Sequence, residues 1–219
     1  MVAAGSGTRL GGAGPKALRL LGSRPLVSWA VDALAAGGVQ SVVVVVASGL
    51  EGSFQTVLDQ APVPAVVVAG GATRQASVAH GLAALPDDCQ VVLVHDAARP
   101  LVPPDVVRRV IDAVLAGAQA VTPVVPVVDT IRRVGPGQTS DVVDRSLLRA
   151  VQTPQGFDRA TLVRAHAALG HDVTDDIAAC EAVGVSATLV EGAREAFKVT
   201  EPFDLAVAQS LLPDRGGSR

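Results

Sequence analysis

The sequence predicts an α/β domain, a doubly wound and mostly parallel sheet carrying one extended β-arm, and three patterns carry that prediction. Short runs rich in valine, such as "SVVVVVA" at 41–47 and "QVVLVH" at 90–95, are apolar without alternation. Such runs suit strands buried on both faces of a parallel sheet. Stretches of helical character separate them, giving a βαβα order that places ligands at the carboxyl ends of the strands. The third pattern is a single interruption of this rhythm at 126–148.

Along the chain, the strand candidates are 2–4, 41–47, 64–69, 90–95, 119–125 and 185–190. Helices are expected over 25–36, 51–60, 74–85, 103–116, 158–169, 175–183 and 201–211. Several of these open with Pro, or with an Asp, Ser or Thr able to cap the first turn. In the interruption, "VVDTIRRV" and "DVVDR" alternate as strands do around the turn-rich "GPGQTS". That is a hairpin. An isolated hairpin is marginal in water, so it is expected to pack on something, a second subunit included.

A chain of 219 residues fits one domain, 1–219, with 126–148 as its protruding arm. Hydrophobic residues make up 49% and aromatics only 2%, so Ala, Val and Leu must build the core. A net charge of −3 disfavours a nucleic-acid or anionic-membrane surface, which would need a dominant basic patch. No charged-then-apolar leader opens the chain and no apolar run is long enough to span a bilayer, which predicts a cytoplasmic protein. Cys89 and Cys180 lack the spacing of a metal or disulfide framework and read as small core residues. Of the 18 basic residues only Lys16 and Lys198 are lysines. In a chain that otherwise uses arginine, a lysine marks a place for a compact point charge.

Four segments could carry chemistry. The opening "AAGSGTRLGGAGPK", 3–16, resembles two phosphate loops and satisfies neither. Leu10 replaces the third glycine of a dinucleotide fingerprint, and Lys16 is followed by Ala17 where a Walker loop needs Ser or Thr. What remains is a glycine loop in which Arg9 and Lys16 can converge on a polyphosphate, or a mere connection. In "VHDAARP", 94–100, Asp96 at a strand end can hold Mg²⁺ on a triphosphate or simply form a turn, and Arg99 is placed for an incoming anion. His95 reads as a packed strand residue. "GGATRQAS", 70–77, opens a helix whose N-terminus, with Arg74 and Ser77, suits an anion or polar ligand group; capping alone would also explain Ser77. "VTDD", 173–176, makes Thr174 an N-cap and sets Asp175 and Asp176 in a first turn, a structural role. Finally, "AFKVTEPFDL" brings Lys198 to an element end before a helix starting near Glu201 and Pro202.

Taken together, "AAGSGTRL" with "PK", "GGATRQAS", "HDAARP", "DT" before the arm, "DR" after it, "QTPQ", "TDD" and "FKVT" resemble the 2-C-methyl-D-erythritol 4-phosphate cytidylyltransferases of the non-mevalonate isoprenoid pathway. The resemblance spans nearly the whole chain and implies a Rossmann-like nucleotidyltransferase fold whose arm makes a homodimer. It implies that Ala3, Ala4, Gly5 and Gly7 hold CTP, the co-substrate, through their backbone, with Arg9 and Lys16 as catalytic cations. Gly71, Arg74 and Ser77 fall where the nucleotide is recognised. Asp96 matches the carboxylate at the Mg²⁺ and reaction centre, and Lys198 a further lysine near the α-phosphate. Arg99, Thr153 and Thr174 fall on the sugar-phosphate side, and Thr130 and Arg145 would reach a partner's site. Two departures stand out: Met1 lies only four residues before Gly5, and Ile177 follows "TDD" where the family has small residues. With an end at 219, no fused cyclodiphosphate synthase domain is expected. Three rivals stay open: a ribitol 5-phosphate cytidylyltransferase, transfer of another nucleotide to a sugar phosphate, and a nucleotide-binding regulator without turnover.

Overall fold

The computed structural model describes residues 1–5, 10–11, 14–169, 173 and 175–212. After the opening loop, a turn at Lys16–Leu18 leads into a short hairpin, β1 (Leu20–Leu21) and β2 (Arg24–Pro25), and then α1 (Leu26–Ala36). Next come β3 (Val42–Val46), α2 (Glu51–Leu58), β4 (Ala65–Ala69), α3 (Arg74–Ala83), β5 (Val91–Val94), α4 (Pro104–Leu115) and β6 (Ala120–Pro126). The arm is β7 (Ile131–Val134) and β8 (Ser140–Val143), followed by β9 (Arg149–Val151) and β10 (Gln155–Asp158). The chain closes with α5 (Arg159–Ala168), α6 (Asp176–Ala182), β11 (Thr188–Glu191) and α7 (Pro202–Ser210).

β3 is five consecutive valines, all buried, because helices cover both its faces. It pairs in parallel with β4. The N-terminal segment fills the next place: Val2 bridges in parallel to Val45 on one side and to Asp96, just past β5, on the other. Val2 N donates to the His95 carbonyl at 2.8 Å and Ala3 N to the Val45 carbonyl at 2.8 Å. β10 then lies antiparallel between β5 and β6, and β11 runs parallel to β6 at the far edge. The order is therefore β4, β3, the Val2 segment, β5, β10, β6, β11, in which β10 is reversed, with β9 pairing antiparallel to β6 off this order.

On one face, Val78 and Leu82 of α3, Leu162 and Ala165 of α5, and Ile177 and Cys180 of α6 pack against Val92, Val94, Ala120 and Phe157. On the other, α1 and α2 bury Val27, Val31, Phe54 and Leu58 against Val42, Val44 and Val46. α4 presents Val106, Val107, Val110 and Val114 along one stripe, meeting α1 and the sheet. It lies so close to β10 that a Cβ on Gly156 would sit 2.4 Å from Val110 Cγ1.

The predicted helices and the valine-rich strands are all present, displaced at their ends by up to three residues. β9, β10 and the β1–β2 hairpin are additions. β10 carries no apolar run: Gln155 and Phe157 are both buried, and Gln155 achieves this by donating through Nε2 to Asp175. Cys180 is buried as expected, while Cys89 is only half-buried. The capping expectation at "VTDD" is corrected. Asp175 caps α6, its backbone extended and its carboxylate accepting from Ala178 N, and Thr174 lies outside the described residues.

The interruption is indeed a hairpin, with Ile131 opposite Val143 and Val134 opposite Ser140. β7 and β8 pair only with each other among the described residues, while β9 returns antiparallel onto the outer half of β6. Val134, Val142 and Leu147 are 73%, 63% and 82% exposed. Among the described residues no helix is long and apolar enough to cross a membrane.

Candidate active site

Three strand ends and one loop enclose a cavity of about 340 Å³ at the carboxyl edge of the sheet. The N-terminal segment contributes Ala3, Ala4 and Gly5, the turn after β4 contributes Gly71 to Arg74, and the end of β5 contributes Asp96 to Ala98. Lys16 and Lys198 also line it. Both lysines of the chain, some 180 residues apart in sequence, thus face one small space.

Lys198 Nζ lies 2.8 Å from Asp96 Oδ2. Burial pushes the Asp96 carboxyl up, but the Lys198 ammonium and its hydrogen bond, with Arg99 adding to them, hold it below the usual carboxylate range. Arg99 is turned away from the cavity. Its Nη1 donates to the Ala196 carbonyl at 2.7 Å, its Nη2 to the Val151 carbonyl at 3.4 Å, and its Nε stands 3.8 Å from Asp96. Together with Val199 N bonded to the Ala98 carbonyl at 2.8 Å, it braces the segment that carries Lys198.

Beneath Asp96 runs a buried polar chain. Asp96 N donates to Thr153 Oγ1 at 3.1 Å, Thr153 Oγ1 meets His95 Nδ1 at 3.0 Å, and His95 Nε2 meets the Arg99 carbonyl at 3.2 Å. A carbonyl only accepts, so Nε2 must donate, and in the neutral imidazole Nδ1 then accepts the Thr153 hydroxyl proton. Burial agrees, lowering the His95 pKa to about 4. Thr153, expected on the substrate side, spends its hydroxyl within this chain, where it orients the peptide of Asp96.

The turn after β4 is stitched from inside. Thr73 caps α3 by accepting from Ala76 N, and Ser77 Oγ accepts from Gly71 N at 3.1 Å while donating to the Thr73 carbonyl at 2.9 Å. Gly71 has no alternative, because a Cβ there would stand 2.4 Å from Ala76 Cβ. Arg74 reaches the cavity from the first turn of α3 and is tied by Nη2 to Asp176 Oδ2 at 2.7 Å.

Gly7, Arg9 and Thr174 lie outside the described residues. Thr130 and Arg145 are exposed on the arm and absent from the cavity wall, and the Arg145 guanidinium donates to the Val128 carbonyl. Sequence reasoning treated Asp176 as a first-turn charge and passed over His166. Nothing local marks either, because their partners are distant in sequence. A larger cleft of about 530 Å³ lies toward the amino ends of β3 and β5, but no Arg or Lys lines it, so it offers a polyphosphate nothing.

The donor set fits a divalent ion. Asp96 is a single ionised carboxylate on the wall of a cavity sized for phosphates, and Mg²⁺ is commonly held by one or two carboxylates plus substrate phosphates. No cluster of three or more His, Cys, Asp or Glu occurs among the described residues.

Residues 1–214 match the sequence model of the 2-C-methyl-D-erythritol 4-phosphate cytidylyltransferase family. The protein of that name from Streptomyces coelicolor is 53% identical over 97% of this chain and 83% of its own. Its Rhodococcus jostii counterpart is 45% identical, covering 97% and 93%. The crystal structure of 2-C-methyl-D-erythritol 4-phosphate cytidylyltransferase from Thermus thermophilus superposes with a TM-score of 0.81 at 39% identity, covering 96% of each chain.

Proposed function

The chain belongs to the 2-C-methyl-D-erythritol 4-phosphate cytidylyltransferase family, and we propose that the cavity joining Lys16, Asp96 and Lys198 is where it performs that reaction. It is a nucleotidyltransferase: CMP passes from CTP to 2-C-methyl-D-erythritol 4-phosphate, pyrophosphate leaves, and 4-diphosphocytidyl-2-C-methyl-D-erythritol forms for isoprenoid precursor synthesis.

The acceptor phosphate attacks the α-phosphorus of CTP in line and the bond to the β-phosphate oxygen breaks. The nucleophile is ionised at neutral pH and needs no general base, in keeping with a buried His95 that is neutral and bonded at both nitrogens. The protein must bring two anions together and offset charge as it builds at phosphorus. Lys198 and Lys16 do this from the cavity wall, and Arg9 is the third cation assigned to the task. The backbone of Ala3, Ala4, Gly5 and Gly7 carries the triphosphate. Gly71 and Arg74 receive the nucleoside, with Ser77 shaping their turn. Asp96 would hold Mg²⁺, which supplies charge neutralisation across the phosphates when bound. Thr174 and Arg99 border the acceptor side, Arg99 by bracing Lys198.

The arm serves a homodimer in which Thr130 and Arg145 complete the partner's acceptor site; the support is a hairpin with Val134 and Val142 exposed and no other strand partner among the described residues. We read residues 1–219 as one nucleotidyltransferase domain. Its proposed place is the cytoplasm.

The observation that carries this reading is the convergence of both lysines and Asp96 on one cavity at the sheet's carboxyl edge. The test is to supply ATP, GTP, UTP and CTP separately with methylerythritol 4-phosphate and Mg²⁺ and to measure pyrophosphate. Release with CTP alone is expected. Equal release with another nucleotide would overturn the assigned specificity.

A further inference from the structure

The cavity's nucleotide wall is held from behind by residues that no part of the reaction consumes. Asp176, at the start of α6, is 1% exposed. Its Oδ2 accepts from Arg74 Nη2 at 2.7 Å and its Oδ1 lies 2.9 Å from Nε2 of His166 on α5. A carboxylate removed from water to this degree is costly unless both oxygens are bonded, and here both are. His166 Nδ1 is buried with no hydrogen-bond partner among the described residues, so the ring's bonding is spent on Asp176.

Arg74 is the only one of the three that reaches the cavity, and the bond to Asp176 is the one hydrogen bond its guanidinium makes among the described residues. A guanidinium carries five N–H donors in a planar fork. Holding Nη2 on a buried carboxylate leaves the other donors available to a ligand in the cavity that Arg74 lines and restricts the side-chain freedom that ligand binding would otherwise have to quench. The anchor is also rigid: Asp176 is covered by the α5–α6 layer, whose Leu162, Ala165, Ile177 and Cys180 lie in the main core cluster. Burial pushes the Asp176 carboxyl up, yet the His166 and Arg74 bonds keep it ionised, so the pairing persists at neutral pH.

We propose that Asp176, steadied by His166, is a positioning residue that presets Arg74 for the nucleotide. The proposal rests on the functional reading above for the identity of that nucleotide as CTP, but the fixing of Arg74 itself does not depend on it.

The test has two arms. In the first, the guanidinium Nη–Hη signals of Arg74, whose Nη2 makes the bond to Asp176, are followed by ¹⁵N NMR in the ligand-free protein and assigned by their disappearance in Arg74→Lys. A slowly exchanging signal in the wild type that broadens or vanishes in Asp176→Asn is expected. An equally sharp signal in both would overturn the proposal, whatever the substrate proves to be. In the second, KM for CTP and kcat are measured for Asp176→Asn, Arg74→Ala and the double variant. Asp176→Asn should raise KM for CTP roughly tenfold, the scale of a lost charge-assisted hydrogen bond, with kcat changed less than about twofold. In the Arg74→Ala background it should add nothing, because the effect passes through Arg74. Unchanged KM in a folded Asp176→Asn, or losses that add independently in the double variant, would overturn it. Should Asp176→Asn fail to fold, His166→Leu serves instead. It should raise KM for CTP roughly threefold, by loosening Asp176, and lose that effect in the Arg74→Ala background; an unchanged KM would contradict the role given to His166. Absence of CTP turnover in the wild type would contradict the functional reading and leave the NMR arm to decide the positioning.

Discussion

Lys198 meets Asp96 at 2.8 Å on a cavity wall that also carries Lys16, and this group of charges is where the account can be broken residue by residue. Lys16→Ala and Lys198→Ala are each expected to lower kcat about 100- to 1,000-fold, the usual effect of removing one donor from a site where charge develops. Pyrophosphate release checks this, with circular dichroism as the control for folding; near-normal turnover in either variant would remove its assigned role. Under that cluster, His95 makes a prediction about pH. Its folded pKa is about 4 against 6.5 for the free side chain, so between these values the unfolded chain binds the proton more readily. The stability tied to its neutral form is complete above about pH 6.5 and is lost as pH falls towards 4. A thermal melting series over that range should show a shallower decline for His95→Asn than for the wild type, and parallel curves would contradict the neutral, bonded imidazole. The lysines were legible in the sequence because they are rare in an arginine-rich chain. Asp176 and His166 were not, since a polar trio joined across three helices leaves no local pattern.

At the level of elements, the strands that could be read are those buried on both faces, where β3 is valine throughout and hydrophobicity alone identifies it. β10 escaped because "QGFD" has one large apolar residue, and its place between β5 and β6 is set by Gln155 bonding to Asp175 and by Gly156 admitting α4. Gly156→Ala should therefore be destabilising, by about 1–3 kcal/mol for overpacking against Val110. In a chain of this size that lowers the melting temperature by roughly 2–12 °C. An unchanged melting temperature would show that α4 can move aside. Capping at "VTDD" was misplaced by one residue because both Thr174 and Asp175 are good N-caps, and only the backbone decides between them.

Across the whole molecule, a net charge of −3 coexists with a locally basic cavity, which is why overall charge disfavours a nucleic-acid surface without disfavouring a triphosphate. The arm's hairpin was legible from alternation, whereas what it packs against is not a property of one chain. The proposed arm dimer makes a prediction: the full chain should sediment as a dimer, and Val134→Asp with Val142→Asp should shift it to monomer and reduce turnover, since the proposed contribution of Thr130 and Arg145 to a partner's site would be lost. An unchanged dimer would place the interface elsewhere. Whether this cavity transfers CMP to methylerythritol 4-phosphate is decided by pyrophosphate release from the full chain with CTP and Mg²⁺, offered methylerythritol 4-phosphate or ribitol 5-phosphate in parallel. Release with methylerythritol 4-phosphate alone is the predicted result; silence with that acceptor, or comparable release with ribitol 5-phosphate, would contradict it.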